Sequence, residues 1–141
     1  MKPKQIVMIA LGIILLDQLS KLLIKKFLHA SVTVIPLVLN VTYLQNTGVS
    51  FGMLQKYSSL LVWIHIIVIG LILWYYSAAK EQHRIWLALI LSGAVGNVID
   101  RLVYGYVMDF IDFKIWPVFN VADSAITIGG IMLAWYWLKE K

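Results

Sequence analysis

Four long apolar runs dominate the sequence, at about residues 6–28, 60–76, 85–104 and 121–138. Each run is long enough for a helix that crosses the hydrocarbon core of a bilayer, which takes about 17 to 25 residues. Polar side chains at helical spacing interrupt the first, third and fourth runs, whereas only His65 and Gly70 interrupt the second. We therefore predict an all-α polytopic membrane protein with four transmembrane helices, in which residues 1–141 form a single membrane-embedded domain.

The stretch between the first two runs has the pattern of β-structure. Residues 31–54 are rich in Val, Thr, Ile and Tyr, and polar and apolar positions alternate in Val32-Thr33-Val34 and Val41-Thr42-Tyr43. A period of two is typical of strands with one buried face. We predict a short strand pair here, on the outer surface, and a short outer loop over residues 105–120.

The composition agrees with a lipid environment. Of the 141 residues, 61% are hydrophobic and only 13% are charged, against about 25% charged in a soluble domain. The absence of Cys excludes disulfides, thiol nucleophiles and Cys-based metal sites. The net charge of +5 comes from basic residues that flank apolar runs, so membrane lipids are expected as partners and nucleic acid is not.

The basic residues also predict the orientation of the helices. With four spans, both termini lie on the same side as the loop around residues 80–84, and Lys21 and Arg101 fall within spans. The terminal side carries six basic residues and the other side four: Lys2, Lys4, Lys80, Arg84, Lys139 and Lys141 against Lys25, Lys26, Lys56 and Lys114. Because cytoplasmic loops carry an excess of Lys and Arg, both termini are predicted to be cytoplasmic.

The acidic residues are divided between the two sides. Glu81 and Glu140 fall on the cytoplasmic side, and all five Asp residues fall in outer loops or the outer halves of spans. Ionisable groups at membrane depth are costly and usually mark a functional site. We therefore expect the chemistry at the outer face.

Asp17 and Lys21 lie four residues apart in the first span, in the order that favours an ion pair on one helical face. A structural ion pair is the favoured interpretation, and direct catalysis by the pair is the minority alternative. His65 has no polar neighbours in its run and is interpreted as a packed core residue. Asp112 and Lys114 are interpreted as solvated loop charges.

The third span carries a stripe of small and polar residues at steps of three and four, formed by Gly93, Gly96, Asn97, Asp100 and Arg101. The glycines are typical of close helix packing. Arg101 has two open interpretations: its cation holds a phosphate or a backbone carbonyl, or it pairs with Asp100 or Asn97.

Asp109 and Asp123 flank the second outer loop. Taken singly, Asp109 reads as a solvated loop acid and Asp123 as a cap or dipole partner at the start of the fourth helix. Taken together, two carboxylates in an apolar setting share a proton and can act as general base and general acid on water and a carbonyl. The spacing alone does not show that they meet. The sequence has neither the H-E-x-x-H pattern of zinc peptidases nor the G-x-S-x-G elbow.

Two other classes of protein remain open from the residues alone. A small proton-coupled transporter or channel-like module would use the intramembrane acids as a relay through the membrane. A scaffold subunit would use them as buried ion pairs.

Five sequence boxes resemble those of the lipoprotein signal peptidases (signal peptidase II), in family order and at family-like spacing. They are Asp17-Gln18-Leu19-Ser20-Lys21, Asn46-Thr47-Gly48-Val49-Ser50-Phe51-Gly52, Gly93-Ala94-Val95-Gly96-Asn97-Val98-Ile99-Asp100-Arg101, Val107-Met108-Asp109-Phe110 and Phe119-Asn120-Val121-Ala122-Asp123. The chain departs from the family pattern at Ser92, where the family has a further Gly, and at Val49 and Ser50, where it has Ala. The stretch from 113 to 118 is short.

The resemblance implies a multi-pass aspartic endopeptidase of the prokaryotic cytoplasmic membrane, monomeric and free of metal and cofactor, with a small β-cradle between helices 1 and 2. Its substrate would be a prolipoprotein, cut just before a diacylglyceryl-modified Cys near the extracytoplasmic face. By motif position, Asp109 and Asp123 would be the catalytic pair. The substrate-binding or supporting residues would be Asn46, Asn97, Arg101, Asn120, Gly93, Asp17, Lys21 and Asp100.

Overall fold

A computed structural model describes residues 2–48 and 58–140 of the chain. These residues form four helices and three strands. In chain order they are α1 (Pro3–Phe27), β1 (Val32–Ile35), β2 (Leu39–Asn46), α2 (Ser58–Tyr76), α3 (Glu81–Tyr104), β3 (Val107–Asp112) and α4 (Val121–Lys139). The predicted residues Val49, Ser50, Phe51, Gly52 and Lys56 lie outside the described residues.

All four predicted spans are helical. α1, α3 and α4 are long and apolar enough to cross a membrane, and α2 has a shorter apolar stretch, Leu60–Tyr76. α1 and α3 begin three and four residues earlier than the apolar pattern predicted. The residues that precede the apolar positions suit a first helical turn, Pro3 in α1 and Glu81 in α3.

The burial pattern of α1 is the reverse of that in a soluble protein. Asp17 and Lys21 are 0% and 3% exposed, whereas Leu15 and Leu16 are 60% and 59% exposed. Apolar side chains on the outside and an ion pair on the inside are stable only where the surrounding solvent is itself apolar. The described helices therefore belong to a multi-pass membrane protein.

The sheet differs from the prediction in one respect. The predicted strand pair is present as antiparallel β1 and β2, but a third strand, β3, pairs antiparallel with β2 to give the order β1-β2-β3. β3 comes from between α3 and α4, in the segment predicted to be only a loop. The prediction was wrong there because β3 is held in the sheet by β2, whose residues lie more than 60 positions away along the chain, for example Asn46 opposite Val107.

α3 is the central helix and packs against α1, α2 and α4. Its contact with α4 is close because Gly93 faces the backbone of Ala122: a Cβ atom at Gly93 would lie 2.3 Å from the Ala122 carbonyl oxygen. A Cβ at Gly96 would lie 2.8 Å from Asp17 Oδ2. Both glycines are therefore packing residues of the kind that lets helix backbones approach.

We expect Gly93→Ala to lower the free energy of unfolding by about 1–3 kcal/mol, because the added methyl group overlaps a backbone carbonyl and α4 must shift. Thermal unfolding in detergent measures this loss. Gly12→Ala is the matched control, since nothing lies within 4 Å of a Cβ there and alanine is the better helix former. Equal stability of the two variants would show that α3 and α4 do not meet closely at Gly93.

Candidate active site

Asp109 lies in β3, opposite Leu44 of β2, and its side chain is buried. Its Oδ2 accepts a hydrogen bond from Asn46 Nδ2 at 2.8 Å, and its Oδ1 accepts one from Asn120 Nδ2 at 2.7 Å. The interpretation of Asp109 as a solvated loop acid was therefore wrong. The strand turns this carboxylate inward, to a position that the apolar residues around it in sequence did not reveal.

Asp123 lies in the first turn of α4 and forms a reciprocal cap with Asn120. Asn120 Oδ1 accepts from the Asp123 N–H at 2.8 Å, and Asp123 Oδ2 accepts from the Asn120 N–H at 3.2 Å. The other carboxylate oxygen of Asp123 accepts from Asn97 Nδ2 at 2.8 Å. The capping role predicted for Asp123 is present, and one of its oxygens is held by α3 at the same time.

Asn120 connects the two carboxylates. Its side-chain nitrogen binds Asp109 and its backbone N–H binds Asp123, so one residue contacts both acids. Asn120 Nδ2 also lies 3.3 Å from Asn97 Oδ1. The structure thus brings together three of the predicted site residues around the pair that the sequence could not join: Asn46 on β2, Asn97 on α3 and Asn120 before α4.

Burial, followed by the negative charge of Asp123, raises the pKa of Asp109 to about 7. The hydrogen bonds from Asn46 and Asn120 oppose this rise without cancelling it. A carboxyl group that keeps its proton up to about neutral pH, next to a second carboxylate, has the protonation pattern of a general acid beside a general base.

Arg101 binds backbone carbonyls. Its Nη2 donates to Gly48 O at 3.1 Å and its Nη1 to Asn97 O at 3.5 Å. Asp100 binds Lys21 instead, with Asp100 Oδ2 at 2.8 Å from Lys21 Nζ. Both carbonyls belong to this chain and one is that of Asn97, so these contacts agree with the structural interpretation of Arg101, and contact with a ligand stays a prediction. The buried Nε of Arg101 has no hydrogen-bond partner among the described residues.

A buried ion triad lies behind the carboxylates. Lys21 Nζ lies 2.7 Å from Asp17 Oδ2 as well as 2.8 Å from Asp100 Oδ2, and all three residues are buried. The Asp17–Lys21 ion pair predicted from the sequence is present, and Asp100 extends it to α3. Lys21 Nζ also donates to Asn97 Oδ1 at 3.3 Å, which connects the triad to the residue that binds Asp123.

The triad also fixes the backbone just before each candidate carboxylate. Asp17 Oδ1 accepts from the Ala122 N–H at 2.9 Å, and Asp100 Oδ2 accepts from the Met108 N–H at 3.3 Å. Ala122 and Met108 immediately precede Asp123 and Asp109. One cluster of charges therefore positions both the start of α4 and the middle of β3.

Gln18 is a residue of this cluster whose role the sequence did not assign. Its Nε2 lies 2.9 Å from Asp100 Oδ1, 3.1 Å from Asp17 Oδ2 and 3.2 Å from Gly96 O. It thereby joins the two acids of the triad across α1 and α3. The sequence does contain a signal for this role, because Gln18 is a polar residue directly beside Asp17 within a predicted span.

His65 of α2 lies close enough to Arg101 and Asp123 to interact with their charges. His65 is half-buried, and its Nδ1 contacts Leu61 O of its own helix at 2.7 Å. Asp112 ends β3 and forms an ion pair with Lys114 at 2.8 Å, so the two charges are paired with each other at the surface.

A cavity of about 490 Å³ opens beside Asp123. One wall is the segment from Trp116 to Phe119, and the other is the N-terminal part of α4, including Ser124 and Thr127. Its size falls within the range of about 300–1,000 Å³ typical of ligand sites. The cavity leaves room for a substrate segment next to one of the two carboxylates.

Comparisons with known proteins point to one family. The sequence model of the family described as "Signal peptidase (SPase) II" matches residues 9–139. A protein of Halothermothrix orenii named "Lipoprotein signal peptidase" is 44% identical over 94% of this chain and 95% of its own length. A protein of the same name from Moorella thermoacetica is 42% identical over 93% of this chain and 91% of its own length.

Two solved structures share the fold. Both are described as bacterial membrane enzymes and are 32% identical to this chain. One has a TM-score of 0.93 over 98% of this chain and 90% of that chain, and the other has a TM-score of 0.87 over 99% and 96%. With a family match over nearly the whole chain and relatives above 40% identity, this chain belongs to the signal peptidase II family of aspartic-type membrane peptidases.

Proposed function

We propose that this protein cleaves the signal peptide from prolipoproteins, just before a Cys that carries a diacylglyceryl group, with Asp109 and Asp123 as the catalytic pair. The observation that carries the proposal is that Asn120 contacts both carboxylates. The names of the relatives support the substrate class. The cavity beside Asp123 supports access of a peptide to the pair.

The first chemical step uses Asp123 as general base and Asp109 as general acid. Asp123 takes a proton from water, whose oxygen forms a bond to the scissile carbonyl carbon, while Asp109 gives its proton to the carbonyl oxygen. The raised pKa of Asp109 supports this assignment, since it keeps the acid form populated up to about neutral pH. Hydrogen bonds from Asn97 and the Asn120 N–H stabilise negative charge on Asp123.

The second step breaks the C–N bond of the resulting gem-diol. Asp123 transfers its proton to the leaving nitrogen, and Asp109 regains a proton from one of the two hydroxyl groups. Both carboxyl groups thus return to their starting states, and the balance needs only water and the peptide.

The polar residues around the pair have positioning roles in this proposal. Asn46 binds one carboxylate oxygen of Asp109, and Asn97 binds one of Asp123. Each bond thereby fixes the direction of the second oxygen of the same carboxylate. The buried Nε of Arg101, which lacks a partner among the residues described, is available to a carbonyl of the substrate backbone. Asp17, Lys21 and Asp100 act one step further away, through the backbone of Ala122 and Met108.

The proposed topology has four membrane spans, both termini in the cytoplasm and the active site near the extracytoplasmic face. The basic residues at the N-terminus, in the α2–α3 turn and at the end of α4 support it. A lipid-modified substrate then enters the site sideways from the bilayer, and water reaches the carboxylates from outside.

The test is incubation of the purified protein with matched lipidated and unlipidated prolipoproteins. We expect cleavage of the lipidated substrate before the modified Cys, and cleavage of the unlipidated form at least about tenfold slower. Equal rates would contradict the substrate assignment. Proton flux into liposomes without cleavage would favour the transporter alternative.

The same assay between pH 5 and pH 9 tests the assignment of the acid. Since Asp109 must carry a proton and its pKa is raised to about 7 by burial and by Asp123, the cleavage rate should fall as pH rises above about 7. It should fall again at low pH, when the base is protonated. A rate that stays constant up to pH 9 would contradict Asp109 as the acid.

A further inference from the structure

An apolar groove lies between α1 and α2, and neither Asp109 nor Asp123 lines it. Both helices pack against α3, and the space they leave between them has a volume of about 380 Å³. The walls of this groove, which we call the α1–α2 groove, include Ile6, Ala10 and Ile14 of α1, Ile69 and Leu73 of α2, and Val95 of α3.

The length of the α1–α2 groove along α1 is close to the thickness of the hydrocarbon region of one bilayer leaflet. From Ile6 to Ile14, α1 rises by about 12 Å at about 1.5 Å per residue. Half of a hydrocarbon core of about 30 Å is about 15 Å. Ser92, a polar residue of the groove, donates to Leu89 O of its own helix at 2.9 Å and so needs no partner in the groove.

Two basic residues, Lys4 and Arg84, lie at the end of the groove near the start of α1 and the end of α2. Lys4 precedes the lining residues Val7 and Leu11 by three and seven positions, which places it on the same face of α1. Arg84 lies against the ring of Tyr76, another lining residue, at 5.9 Å from the ring centroid. Tyr and basic side chains at the end of an apolar groove match the level of lipid headgroups.

We propose that the α1–α2 groove binds one acyl chain of an anionic phospholipid whose phosphate lies near Lys4 and Arg84. An empty apolar groove would leave its walls without dispersion contacts, and an acyl chain fills it without any polar group. The positive charge at its end selects an anionic headgroup. The bound lipid joins α1 to α2, which otherwise meet mainly through α3, and on the proposed topology it belongs to the cytoplasmic leaflet.

The test is titration of the delipidated full chain with phosphatidylglycerol or phosphatidylcholine in detergent, followed by native mass spectrometry. We expect one phosphatidylglycerol per chain, bound about 25-fold more tightly than phosphatidylcholine, at roughly fivefold for each basic residue. Lys4→Gln should lower this preference about fivefold, and Lys26→Gln, at the opposite end of α1, should not change it. Equal affinity for the two lipids would overturn the proposal.

A second variant pair tests the groove itself. Ala10→Phe fills the groove and should weaken phosphatidylglycerol binding at least tenfold. Met8→Phe adds a ring on the same helix at a position that is 71% exposed and does not line the groove, and it should bind like the parent protein. Equal binding by the two variants would overturn the proposal.

Photocrosslinking uses the parent protein, so its result does not depend on whether a substituted variant folds. Phosphatidylglycerol with a diazirine in one acyl chain should label peptides containing residues 6–14, 69–76 or 88–95. Labelling spread evenly over all helices would contradict a lipid in the α1–α2 groove.

Discussion

Asp109→Asn should reduce the rate of signal-peptide cleavage by about a thousandfold or more. The amide keeps the shape of the side chain and its hydrogen bond to the amide of Asn46 or Asn120, but it cannot give a proton to the scissile carbonyl. General acid–base catalysis contributes about 10² to 10⁴ in rate per group. Asp123→Asn should cause a similar loss, because an amide cannot take the proton of water.

The fold should survive the Asp109→Asn substitution, which separates loss of catalysis from loss of structure. The raised pKa means that the folded protein keeps the Asp109 proton up to about pH 7, whereas the unfolded chain releases it near pH 4. This group therefore stabilises the fold fully below about pH 4, and its contribution is lost as pH rises to about 7. Asp109→Asn should remove that dependence and be at least as stable as the parent at pH 8.

Asp112→Asn is the matched control for this experiment. Asp112 lies in the same strand, three residues from Asp109, and pairs with Lys114 at the surface. Its replacement should change the cleavage rate less than threefold. A variant of Asp109 or Asp123 that cleaves at the parental rate would show that the pair is not catalytic. Equal losses of rate for Asp109→Asn and Asp112→Asn would show that the loss comes from a disturbed sheet and not from a missing catalytic group.

Lys21→Met should cause the largest loss of stability, about 3–5 kcal/mol in the free energy of unfolding. The substitution keeps the length of the side chain but leaves Asp17 and Asp100 buried without their positive partner. Breaking a buried ion pair on one side is costly because the remaining charge has neither water nor a counter-charge. Thermal or denaturant unfolding in detergent measures the loss.

Two variants control this prediction. Lys25→Met, one turn further along α1, removes an exposed Lys that lies over the Tyr104 ring at 4.0 Å, and it should cost about 1 kcal/mol or less. The triple variant Lys21→Met, Asp17→Asn, Asp100→Asn removes all three charges together. It should recover much of the stability, since the amide oxygens still accept from the Ala122 and Met108 N–H groups. If the triple variant is less stable than Lys21→Met, the loss does not come from the unpaired carboxylates.

The same variants test whether the triad positions the catalytic pair. Because Asp17 and Asp100 accept from the N–H groups just before Asp123 and Asp109, a folded triple variant should cleave more slowly at saturating substrate. Its pH profile should also shift, since the charges that surround the pair have changed. A triad with only a structural role would leave the pH profile unmoved.

Much of this fold is determined by the sequence alone. The positions of the four helices follow from apolar runs, which the bilayer requires to be continuous and about 20 residues long. The Asp17–Lys21 ion pair follows from a spacing of four within one helix. The strands β1 and β2 follow from local alternation. Each of these features depends on residues that are neighbours in the chain.

Only the tertiary structure decided the meeting of Asp109 and Asp123 around Asn120. Asp109 is turned inward by the pairing of β3 with β2, whose residues lie over 60 positions away along the chain. Asp100 joins the triad because Gly93 and Gly96 allow α3 to approach α4 and α1. These contacts depend on how separate elements are placed relative to one another. Strand pairing and helix approach are set by packing across the whole domain, so no local pattern of residues contains them.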